Sequence, residues 1–100
     1  MNKTESRYED ILKGRKALGE IILYEYEPMS IRLGSNLFYI PDFMVMNLDG
    51  TLEFHEVKGG FIREDSNVKI KAAATKYPYF RFLLCQYKKG EWNFRDIPVD

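Results

Sequence analysis

Three residues in the hundred-residue chain have types and spacing that could do metal-dependent hydrolytic chemistry: Asp42, Glu56 and Lys58. They lie within YIPDFMVMNLDGTLEFHEVKGG, residues 39 to 60, which reads as two apolar strands joined by a tight turn. Two carboxylates can hold a hard divalent cation, and a lysine beside them can place positive charge on a developing oxyanion. Whether they meet depends on the turn at Asp49-Gly50. A two-residue loop pairs Leu48 with Thr51 and sends Asp42 to the face that Glu56 and Lys58 avoid. A three-residue loop with a bulge shifts the pairing by one, so that Asp42 opposes Glu56 with Lys58 diagonal on the same face. The site needs the second register, which is the one expected here. His55 alternates with Glu56, should face the other way, and is read as structural.

The elements that must position these residues follow from periodicity. Tyr8, Ile11, Leu12 and Leu18 recur at roughly helical spacing over residues 4 to 18. On such a helix Glu5, Tyr8, Glu9 and Leu12 share one sector, so Glu5 or Glu9 can point toward the core's edge. Both also have ordinary explanations: an acid in a first turn offsets the helix dipole, and Ser6 with Glu9 has capping-box spacing. Residues 20 to 27 read as a strand, residues 29 to 33 as a short one, and 34 to 36 as a turn. Residues 37 to 48 are apolar except for Asp42 and read as one buried strand in an antiparallel meander. Gly59 and Gly60 let the backbone turn sharply and come close to a ligand.

A second helix, capped by Asp65 or Ser66, runs to Tyr77 with Ile70, Ala73, Ala74 and Tyr77 on its packing face. Lys69, Lys71 and Lys76 lie off that face, and Lys71 is the choice for reaching a phosphate. Residues 79 to 87 form a buried strand that holds Cys85, parallel to its partner because a helix intervenes. Trp92 and Phe94 in the tail cover the core. The fold class is therefore α/β (α+β): helix, antiparallel β-meander, helix and parallel strand in a mixed central sheet.

Composition narrows the classes of function. One domain fits this length, which suffices to bury roughly 65% of the unfolded chain's surface. A single cysteine and a single histidine leave no disulfide framework and no zinc-type cluster, and point to a reducing, cytoplasmic setting. No export signal or membrane span is visible. Net charge is zero, but residues 1 to 56 hold 6 Lys/Arg against 10 Asp/Glu, and residues 57 to 100 hold 9 against 5. A basic half could meet a phosphate backbone while the carboxylates hold cations.

Pro41-Asp42 followed by Glu56-Val57-Lys58 across one hairpin, then a lysine-bearing helix and a strand, resembles the PD-(D/E)XK nuclease superfamily. KTESRYEDIL, YEYEP, YIPDFMV, EVKG and KIKAAATKYPYFRF together are similar to small phage-encoded nuclease-like proteins of that superfamily. The resemblance implies a restriction-endonuclease-like core and a metal-dependent DNA endonuclease, with branched or recombination intermediates among its substrates. The alternative it leaves is a catalytically inactive nucleic-acid-binding or protein-interaction module. It implies that Asp42, Glu56 and the backbone carbonyl of Val57 hold Mg²⁺, for which Mn²⁺ substitutes, and that Lys58 orients the attacking water and stabilises charge. Glu5 would complete the site, with Glu9 as the alternative, and Lys71 would contact substrate. DNA is the implied partner, a homodimer would allow two strands to be cut, and the host-cell cytoplasm is the implied location if the chain is phage-encoded.

Overall fold

In the computed structural model, residues 1 to 61 and 67 to 98 are described. They form helix α1 (Lys3–Ala17), strands β1 (Ile21–Tyr26), β2 (Ile31–Gly34), β3 (Leu37–Tyr39), β4 (Phe43–Asn47) and β5 (Leu52–Gly59), helix α2 (Val68–Lys76), and strands β6 (Arg81–Lys88) and β7 (Glu91–Asp96). Five strands make one sheet in the order β1-β4-β5-β6-β7, and β2 and β3 pair separately. The β5-β6 pair, bridged by α2, is parallel, and the sheet's other pairs are antiparallel. This is the mixed α/β architecture expected.

Strand alternation sorts the core into two layers. Met44, Phe54, Phe82 and Leu84 pack on one face with Ile70, Ala73 and Ala74 of α2. Phe43, Val45, Val57, Leu83 and Cys85 pack on the other with Tyr8 and Leu12 of α1. Because side chains alternate along a strand, adjacent residues of β4, β5 and β6 serve opposite helices, which is why these strands read as continuous apolar runs.

Local details depart from the expectations. The run from 37 to 48 is two strands, broken at Ile40-Pro41-Asp42: proline has no N–H for a ladder and holds its predecessor extended. The meander is also interrupted, since β1 pairs directly with β4 and the β2-β3 hairpin is an excursion that packs against α2. Helix α1 is capped one turn earlier than Ser6 and Glu9 would have it: Asn2 Oδ1 accepts from Glu5 N–H, and Glu5 Oε1 accepts from Asn2 N–H, both at 2.8 Å. Asp65 and Ser66 lie outside the described residues, and Asn67 is the N-cap of α2 without a side-chain capping bond. Trp92 packs on the α1 layer as expected, but Phe94 is exposed. Among the described residues no helix is long and apolar enough to cross a membrane.

Candidate active site

The β4-β5 turn sets the geometry. Asn47 N–H donates to Thr51 O and Gly50 N–H to Asn47 O, both at 2.9 Å, which leaves Leu48, Asp49 and Gly50 as a three-residue loop. Gly50 has φ of 87°, a conformation that favours glycine, and Asp49 Oδ1 accepts from Thr51 N–H and Oγ1–H. The ladder therefore pairs Phe43 with His55 and Met44 with Phe54, and one step further Asp42 stands opposite Glu56. This is the offset register the site requires.

Asp42 lies just before β4, behind the fully buried Pro41. Its Oδ2 accepts from Val57 N–H at 2.7 Å, and its carbonyl accepts from Glu27 N–H at 2.8 Å. Its carboxyl is pushed up to about 7, first by burial, then by the neighbouring Glu56, with Glu5 adding in the same direction and the Val57 N–H opposing. Three acids thus crowd one place with too little positive charge. Glu56 Oε1 accepts from the Tyr39 hydroxyl at 2.8 Å, and Glu56 Oε2 lies 3.2 Å from Lys58 Nζ. Tyr39 is buried, and its hydroxyl is held well above its usual range by that burial and by Glu56.

The structure separates Glu5 from Glu9. Glu5 is 8% exposed, joins the capping box, accepts from the Tyr26 hydroxyl at 3.2 Å and reaches the Asp42 carboxyl. Desolvation and Glu5 push the Tyr26 hydroxyl up to about 12. Glu9 is held instead by Tyr24 and Lys13, at 3.3 and 3.7 Å. The close approach of α1 to the end of β5 depends on Gly59, where an added Cβ would meet Thr4 Oγ1 at 2.9 Å. Gly59 therefore makes room for the residue next to Glu5, not for a ligand.

A cavity of about 680 Å³ opens beside Glu56, with Tyr39, Phe38 and Ile40 on one side and Val68, Lys69 and Ile70 on the other. The lysine of α2 in this lining is Lys69, whereas Lys71, the sequence-based choice, is half-buried two residues further along. Phe38 and Ile40 are exposed, so the wall near Glu56 is apolar and open.

His55 faces the α1 layer, away from Glu56, as alternation requires. It is 2% exposed, with Nδ1 2.6 Å from the Tyr8 hydroxyl and Nε2 2.9 Å from Glu53 Oε1, and the Cys85 thiol donates to the Tyr8 oxygen at 3.4 Å. His55, Asn47 and Arg81 hold the Glu53 carboxyl down at about 2, and burial pushes the Cys85 thiol up to about 12. This buried polar chain and the grip of Tyr39 on Glu56 escaped the sequence reading. Their partners are as many as 77 residues apart, and no local spacing signals such pairs.

No protein-family model matches the chain, and no curated protein matches it. A solved structure does. The crystal structure of SSO0001 superposes with a TM-score of 0.53 at 18% identity, over 96% of this chain and 50% of that one. The chain thus spans about half the length of that protein, and at this identity the likeness shows the fold alone.

Among the described residues no group of three or more His, Cys, Asp or Glu side chains is arranged to hold a metal ion. The donor set of Asp42, Glu56 and Glu5 is nonetheless all oxygen, which suits a hard cation. The elevated Asp42 carboxyl marks a charge deficit that such a cation would relieve. Both Glu56 oxygens are engaged, so seating a cation requires Glu56 to turn away from Tyr39 or Lys58.

Proposed function

We propose that the chain is a divalent-metal-dependent DNA endonuclease of the PD-(D/E)XK kind. The observation that carries this reading is the convergence of Asp42, Glu56 and Glu5, with Lys58 3.2 Å from Glu56, at one end of the β4-β5 pair. A raised Asp42 carboxyl with two further carboxylates, a lysine and an open cavity beside it is the arrangement expected of a hydrolytic centre.

Asp42 and Glu56, with the Val57 carbonyl, would hold Mg²⁺ or Mn²⁺, which when bound supplies Lewis acidity and an acidified water. The chain's own residues do the rest. Val57 N–H fixes Asp42 through Oδ2 and leaves Oδ1 for other partners. Tyr39 sets the rotamer of Glu56. Lys58, half-exposed beside Glu56, would shift from that carboxylate to the attacked phosphate and offset the charge that grows there. A homodimer would supply the second site needed to cut a second strand.

The test is cleavage of linear, nicked and four-way-junction DNA with Mg²⁺ or Mn²⁺, comparing wild type with Asp42→Asn and Lys58→Ala. Metal-dependent cleavage that both substitutions abolish supports the reading. Activity without metal, or undiminished in the variants, refutes it. Binding of these substrates with no cleavage would instead identify a noncatalytic nucleic-acid-binding module.

A further inference from the structure

On the same face of the sheet as Glu56 and Lys58, a second cavity of about 290 Å³ lies over β6 and β7. The ladders place it in register with the carboxylates. Glu56 pairs with Leu84 and Leu84 with Arg95; Lys58 pairs with Gln86 and Gln86 with Asn93. With strands about 4.8 Å apart, Arg95 sits roughly 10 Å of sheet from Glu56.

Three features of this cavity point to a ligand. Asn67, at the N-terminus of α2, lines it and is 4% exposed, yet among the described residues its Oδ1 has no hydrogen-bond partner. A buried acceptor without a donor costs free energy, and Asn67 does not use it to cap α2. Lys88 and Arg95 also line the cavity, and among the described residues neither is in a salt bridge. Phe61 at the rim is 83% exposed, an uncovered aromatic face. Two unpaired cations, a flat ring and a buried acceptor suit phosphate, base and base N–H in turn.

We infer that this cavity seats one nucleotide of the strand that passes the carboxylates. Its phosphate lies on Arg95 and Lys88, its base lies over Phe61, and a base N–H group donates to Asn67 Oδ1. The placement of that strand rests on the endonuclease reading; the binding itself does not.

The test is made in chelator, without cleavage. Titration with dAMP, deoxyadenosine or inorganic phosphate is followed at the Asn67 side-chain amide by NMR, and a short fluorescein-labelled single strand is titrated by anisotropy. The nucleotide should move the Asn67 resonance furthest, and Arg95→Ala and Phe61→Ala, both at exposed positions, should each weaken strand binding about tenfold. The inference fails if both variants bind the strand like wild type, if phosphate moves Asn67 as far as dAMP does, or if Asn67 does not respond. Cleavage abolished by Asp42→Asn with strand binding unaltered in Arg95→Ala and Phe61→Ala would refute the cavity and leave the endonuclease. Nucleotide binding at Asn67 without cleavage under any metal would do the reverse.

Discussion

Removing the charge of Asp42 should stabilise the metal-free protein at alkaline pH, although it removes a carboxylate from the site. Burial, Glu56 and Glu5 lift this carboxyl from 3.8 to about 7. A carboxyl raised on folding binds its proton more tightly in the folded chain. Its contribution is therefore full below about pH 3.8 and is lost as pH rises through about 7. At about 1.4 kcal/mol per pH unit, the roughly three-unit change sets a ceiling of about 4 kcal/mol. Partial solvent exposure and the sharing of charge among three carboxyls bring it to the order of 2 kcal/mol. Asparagine keeps an oxygen for Val57 N–H and carries no charge, so Asp42→Asn retains the hydrogen bond and escapes the penalty. For a chain of this size the gain corresponds to a midpoint roughly 10 °C higher at about pH 8 in chelator. Thermal unfolding by circular dichroism from about pH 5.5 to 8.5 reads this directly: wild type should lose stability across the range and the variant should lose much less. Parallel pH curves, or a variant less stable than wild type at about pH 8, would refute the crowding of Asp42 by Glu56 and Glu5.

Lys58→Ala should lower metal-dependent cleavage by roughly 10²- to 10³-fold, while DNA binding measured in chelator changes little, because the lysine would act on charge that grows only during reaction. The Glu53 carboxyl, held at about 2 by His55 and its neighbours, contributes stability that is present above about pH 4.5 and lost as pH falls toward 2. Glu53→Gln should therefore cost about 1 to 2 kcal/mol near neutrality and flatten the acid limb of the stability curve, as urea unfolding at several pH values would report. Gly59→Ala should push Thr4 and the first turn of α1 away from β5, at a cost of about 1 to 2 kcal/mol. Thr4→Ala in the same chain removes the nearest obstructing atom, Oγ1, and should restore most of the thermal midpoint; failure to do so would show that the cost lies elsewhere.

The local information in the chain sufficed for what is local in origin. Alternation of side chains marked the strands, the helical repeat marked α1 and α2, and Asp49-Gly50 carried the turn whose three-residue form brings Asp42 opposite Glu56. From these, the mixed sheet and the acid/acid/lysine grouping were both legible. Pro41 breaks the ladder before β4, although the apolar run over residues 37 to 48 has the character of one continuous strand.

What tertiary structure decided are choices between residues that local periodicity treats as equal. Glu5 and Glu9 lie one turn apart on the same helical face, so periodicity cannot rank them. The ranking comes from how far α1 slides along β5, and the contact of Thr4 with Gly59 holds that position. Lys69 and Lys71 are likewise both off the packing face, and only the docking of α2 beside the β2-β3 excursion puts Lys69 in the cavity lining next to Glu56. The grip of Tyr39 on Glu56 and the buried chain from Glu53 through His55 and Tyr8 to Cys85 join segments far apart in sequence. Such pairs depend on the distance between whole elements, a quantity that side-chain spacing within one element does not contain.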